Sequence, residues 1–170
     1  MRTTTTTVTG IEQLNSLLRG EMSAIETYRL AIEKVGDEPF AEELHAFQRD
    51  HRDAADRLWH HVERHEGRPS ADSGPWGGFA KLVQGTANLF GDASALKSLK
   101  EGEEHGLKDY EEALHNTDLP QDAVELVREL MAKQRQHIAT LDRLLETPLG
   151  GSRTTTGTPG SPSGTPGTRM

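Results

Sequence analysis

The sequence predicts an all-α protein: an antiparallel four-helix bundle of two helical hairpins joined by a long crossover that contains a short helix. Three observations carry that expectation. Four segments place apolar residues at three- and four-residue spacing, the period of one helix face. The connections alternate short, long, short, and a short link between long helices forces an antiparallel hairpin. The third is an internal repeat, in which residues 14–32, LNSLLRGEMSAIETYRLAI, return 82 positions later as residues 96–114, LKSLKEGEEHGLKDYEEAL. Its register sets Leu14 on Leu96, Leu17 on Leu99, Glu21 on Glu103, Ile25 on Leu107, Tyr28 on Tyr110 and Ile32 on Leu114. A further match, at an offset of 86, pairs Gln48-Arg-Asp-His51 with Gln134-Arg-Gln-His137.

Residues 1–8 and 148–170 are Thr-, Gly-, Pro- and Ser-rich tracts without periodicity, read as disordered tails around one bundle over residues 9–147. The first helix opens with a capping box, Thr9-x-x-Glu12. Its apolar face is Ile11, Leu14, Leu17, Leu18, Ala24, Ile25, Tyr28, Ile32 and Val35, with Gly36 as its end. The second begins near Asp37-Glu-Pro39, with proline in the first turn, and runs through Leu44, Phe47, His51, Ala55, Leu58 and Val62 to Gly67. Residues 67–91 form the crossover, with a short amphipathic piece carrying Trp76, Phe79, Leu82, Val83, Leu89 and Phe90. The third helix starts after Gly91-Asp92 and reaches about Asn116. The fourth opens around Asp118-Leu-Pro120, uses Val124, Val127, Leu130, Met131, Ile138, Leu141 and Leu144, and closes at Pro148.

Composition narrows the function. A formal net charge of -8, from 27 acidic and 19 basic residues, opposes binding to a phosphate backbone, so nucleic acid is not an expected partner. There is no cysteine, which excludes disulfides and thiolate metal sites. No apolar run approaches the ~18–20 residues of a membrane span, and the N-terminus has no signal-peptide core. A cytoplasmic protein that self-associates is the expectation.

The chemistry lies in polar residues set on apolar stripes. Glu21 shares a face with Leu14, Leu17, Ile25 and Tyr28, and Glu103 occupies the matching place on the third helix. Gln48 and His51 share a face with Leu44, Ala55 and Leu58, and Gln134 and His137 with Leu130, Leu141 and Leu144. All six should meet near the bundle midline, with Tyr28 and Tyr110 beside them.

LNSLLRGEMSAIETY resembles the first helix of bacterioferritins and rubrerythrins, in which a Glu precedes Ala-Ile by three positions and Tyr by seven. In that ferritin-like superfamily the first and third helices each supply a Glu, and the second and fourth each supply Glu-x-x-His, to a di-iron centre. The resemblance places Glu21, His51, Glu103 and His137 at ligand positions, and Gln48 and Gln134 where bridging glutamates would stand. Residues 11–146, including KEGEEHGLKDYEEAL and VRELMAKQ, also resemble a bacterial ferritin-like family of four-helix-bundle proteins of unknown function.

Four glutamates neutralise two divalent irons, whereas Glu21 and Glu103 neutralise one divalent ion. A standard di-iron centre is therefore not expected. Two functions from different classes remain. One is a non-catalytic structural or interaction module without cofactor, in which Gln48, Gln134, Tyr28 and Tyr110 satisfy the buried carboxylates and imidazoles. The other is a metal-binding protein or oxidoreductase holding one Fe, Zn or Mn ion through two Glu and two His. The first is favoured from sequence. His61 and His65, four residues apart in WHHVERHEG, read as a solvated helix end, as does His60, while His45, His105 and His115 read as surface residues.

Overall fold

Apolar side chains at helical spacing draw four helices together in the computed structural model of the chain, which describes residues 3–35, 38–74 and 92–147. They are α1 (Thr3–Val35), α2 (Ala41–Arg64), α3 (Asp92–His115) and α4 (Gln121–Glu146). The hairpins α1–α2 and α3–α4 pack side by side, α1 against α3 and, less extensively, α2 against α4. Tyr28 of α1 reaches Glu103 of α3 while Tyr110 of α3 reaches Glu21 of α1, so these two helices are antiparallel. Arg57 meets Glu129 and His65 meets Asp122, which makes α2 and α4 antiparallel as well. The end of α2 thus lies beside the start of α4. The short helix expected in the crossover, the tail from residue 148 and the helix stop at Gly36 lie outside the described residues.

The interior is apolar at both ends and polar in the middle. One cluster joins Leu14, Leu17, Leu18, Leu58, Val62, Leu126 and Val127, and the other joins Val35, Phe40, Leu44, Leu96, Leu99 and Leu141. Full burial of each such leucine contributes ~1.5–3 kcal/mol. Between the clusters lie Glu21, Gln48, His51, Glu103, Gln134 and His137, none more than 5 % exposed. The stripes read from the sequence therefore do face inward. No described helix is long and apolar enough to cross a membrane.

Helix boundaries depart from the expected ones for local reasons. α1 starts at Thr3, so the chain is helical within the stretch expected to be a tail, and Thr9 lies inside the helix rather than capping it. Once packing has nucleated a long helix, each added residue gains a backbone hydrogen bond that offsets threonine's small helix penalty. Glu12, freed from capping, pairs with Arg19 at 3.1 Å. Pro39 stands in the turn before α2, where the Ala41 amide donates to the Glu38 carbonyl at 2.9 Å. Pro120 is the residue before α4 and offers its carbonyl to Ala123 and Val124.

The end of α2 is closed by paired hydrogen bonds from Gly67 N–H to Val62 O and from Glu66 N–H to Glu63 O, with Glu66 in the left-handed region at φ 60°. The chain is then strapped to α1 by Asn15, a residue that the sequence reading passed over. Its side chain donates to Arg68 O and accepts from Ser70 N–H, both at 2.9 Å.

Gly10 marks where α1 touches the α3–α4 turn. A Cβ there would sit 2.1 Å from the Asp118 carbonyl oxygen, whereas one on Gly20 would meet nothing within 4 Å. Gly10→Ala is expected to cost ~1–3 kcal/mol, and Gly20→Ala to gain up to ~1 kcal/mol. Urea denaturation of the two variants checks this, and stabilisation by Gly10→Ala would contradict the close approach.

Candidate metal centre

The middle layer is organised around His51. Its Nδ1 lies 2.7 Å from Glu21 Oε2 and its Nε2 lies 3.0 Å from Glu103 Oε1. Each carboxylate also accepts a tyrosine hydroxyl from the opposite helix, Tyr110 donating to Glu21 Oε1 at 2.7 Å and Tyr28 to Glu103 Oε1. The hydroxyls belong to equivalent positions of the repeat, so the two Tyr–Glu bonds are related by the bundle's approximate two-fold symmetry.

Burial alone would lower the pKa of His51, but the charges of Glu103 and Glu21 outweigh it and raise it to about 10. Burial alone would raise Glu103, yet His51 and His137 hold it below the ordinary carboxylate range. Burial, reinforced by the neighbouring carboxylate, pushes both tyrosines well above their usual range, so each remains a hydroxyl donor. Without a metal ion, the centre is an imidazolium clamped between two carboxylates.

His137 breaks the symmetry. Its Nε2 lies 3.1 Å from Asp50 Oδ2, which also faces Lys133 at 3.5 Å, and its ring stacks on Phe47 with centroids 4.3 Å apart. The remaining nitrogen, Nδ1, faces Glu103 Oε1 at 3.3 Å without forming a hydrogen bond. Glu103 Oε2 is likewise buried with no hydrogen-bond partner. His51, Glu103 and His137 bring ligand atoms within 4.8 Å of one another. Two imidazoles and a carboxylate, each imidazole backed by a second carboxylate (Glu21 for His51, Asp50 for His137), form a donor set suited to zinc or iron.

Small residues open this layer to the outside. Gly20 and Ala24 of α1 face Gly102 and Gly106 of α3 across a partly open cleft. The cleft reaches Glu21, Tyr28, His51, Glu103, Tyr110 and Gln134, with Ser23, Thr27, His105 and Asp109 also lining it. Its walls follow the repeat, with Gly20 answering Gly102, Ala24 answering Gly106 and Thr27 answering Asp109.

The expected residues are thus gathered in one layer, but their roles divide. Gln48 and Gln134 do not serve the carboxylates or imidazoles, as the sequence suggested. Their amides donate to main-chain carbonyls, Gln48 to Ile25 O at 3.0 Å and Gln134 to Glu103 O at 3.1 Å. Gly106 makes room for this, since a Cβ there would lie 2.6 Å from Gln134 Nε2. A helix carbonyl that can take a second donor is the nearer partner for an amide too short to cross the layer. Asp50 was missed because it sits beside His51 in sequence but serves His137 on another helix. The one sequence signal was that Gln136 fails to repeat it. His45, His105 and His115 are exposed, as expected.

With metal removed, the His51 proton should stabilise the fold fully below pH 6.5, the ordinary imidazole value, and this contribution should fade as pH rises towards about 10. The ionised Glu103 contributes above its ordinary value of 4.5 and loses that contribution as pH falls. Chemical denaturation at a series of pH values should therefore show the alkaline decline in the wild type and not in His51→Gln. That variant should also be less stable by ~3–5 kcal/mol near neutrality, as when one partner of a buried ion pair is removed. Identical pH profiles would contradict a protonated His51.

Comparison with known proteins gives a family without a stated activity. No curated protein sequence matches the chain. The family model described as a domain of unknown function, DUF2383, matches residues 9–116, which run from α1 through α3. With well over half of its length matched, the chain belongs to the DUF2383 family.

Proposed function

We propose that the middle layer of the bundle binds a single divalent metal ion, with His51 Nε2, His137 Nδ1 and Glu103 as ligands, and that Glu21 and Asp50 orient the two imidazoles. The observation that carries this reading is the pair of buried acceptors, Glu103 Oε2 and His137 Nδ1, left without hydrogen-bond partners on the same centre. Buried polar atoms are nearly always satisfied, and an orphan pair of this kind costs ~1–3 kcal/mol per group. A cation between them removes that cost. Charge supports one ion and not two, because Gln48 and Gln134 are uncharged and already committed to main-chain carbonyls. The cleft between α1 and α3 supplies an approach route, and three protein ligands leave coordination positions open for a small molecule.

A second reading rests on a specific feature. The chain of hydrogen bonds Tyr110–Glu21–His51–Glu103–Tyr28 satisfies most of the layer without an ion. Under that reading the layer is a structural device in a non-catalytic, self-associating module.

Metal analysis separates the two. After chelation and reloading with Fe(II), Zn(II) or Mn(II), the wild type should hold one ion that requires Glu103, and Glu103→Gln and His137→Ala should lose it. Glu21→Gln and Asp50→Asn should weaken affinity ~10–100-fold, the usual effect of removing a ligand's supporting partner. Retention of the ion by Glu103→Gln, or no ion at this centre in the wild type, would leave the structural reading.

A further inference from the structure

A second cluster of metal-ligating side chains lies away from the middle layer, where the end of α2 meets the start of α4. His61 and His65 are one helical turn apart on α2, and their rings stack with centroids 6.4 Å apart. Asp122 of α4 closes the group. His65 Nε2 lies 3.0 Å from its Oδ1, and His61 Nδ1 lies 3.7 Å from its Oδ2. The sequence presented two histidines on a solvated helix end, but the fold adds an acidic ligand from the other hairpin and covers His61, which is only 14 % exposed. His61 Nδ1 is buried and has no hydrogen-bond partner.

We propose that His61, His65 and Asp122 form a second divalent-cation site, of zinc or a chemically similar ion, which clamps the first hairpin to the second. Ligand atoms of the three residues lie within 4.8 Å of one another. Four ligands around zinc at ~2.0–2.2 Å stand somewhat closer than that, so small side-chain rotations complete the arrangement and leave one position for water. The orphaned His61 Nδ1 gains the partner it lacks. The location gives the ion a structural consequence, because α2 and α4 touch far less extensively than the two helices within either hairpin. In addition, α2 closes here at a strained left-handed residue, Glu66. Arg64, with Nη1 3.5 Å from Asp122 Oδ2, occupies the carboxylate in the ion's absence and competes with it.

The site is independent of the middle layer, and a Zn(II) titration of the full chain reads it separately. In a His137→Ala background, which removes a ligand of the central site, one equivalent of zinc should still bind and raise the melting temperature. His65→Ala and Asp122→Asn in that background should each weaken this binding at least tenfold. Arg64→Ala should tighten it severalfold, an effect that mere loss of stability would not produce. If Asp122→Asn leaves zinc affinity unchanged, the two histidines act as an ordinary helical chelate and the clamp is overturned. Absence of zinc binding in the His137→Ala protein overturns it as well.

Discussion

The buried contact between His51 and the carboxylates of Glu21 and Glu103 is the constraint on which the rest of the bundle depends. Three ionisable groups at 5 % exposure or less lie between two apolar clusters, where an unpaired charge would cost several kcal/mol. Each must therefore be paired with good geometry, and that requirement sets how the helices face one another. His51 comes from α2, Glu21 from α1 and Glu103 from α3, so one imidazole ties three helices at the same height. Sliding any helix by one turn would strand a charge in leucine. Apolar packing brings the helices together, and this layer selects their register.

The repeat explains why the layer is nearly symmetric, and its departures explain what the centre can do. Tyr28–Glu103 and Tyr110–Glu21 are two copies of one interaction. Were the symmetry complete, His137 would bridge Glu21 and Glu103 as His51 does. Instead, α2 carries Phe47 and Asp50 where α4 carries Lys133 and Gln136. Phe47 stacks on His137 and Asp50 takes its Nε2, which turns Nδ1 towards Glu103 and leaves it unbonded. A nearly symmetric polar core becomes asymmetric through two differences between its halves.

Small residues play the complementary role. Gly20, Ala24, Gly102 and Gly106 prevent α1 and α3 from closing over the layer with bulky side chains, so the most deeply paired groups of the protein are also reachable from one side. Gly106 does double duty, since the space it leaves is taken by the Gln134 amide. The cleft these residues leave is the route by which the proposed ion would reach the layer.

Periodicity, connection lengths and the repeat determined by themselves the four long helices of the described residues, how they are paired, and that Glu21, Gln48, His51, Glu103, Gln134 and His137 face inward. Those properties depend on spacing along one chain, and spacing is what a sequence records. Helix ends were less legible, because Thr9 and Pro39 are local signals that packing and helix propagation overrode. Only the tertiary structure decided partnership. It assigned Glu21 to orient His51, sent both glutamine amides to the backbone, recruited Asp50 to His137 and brought Asp122 to the His61–His65 turn. Each of these is a contact between different helices, set by angles and heights that no interval within a single helix encodes.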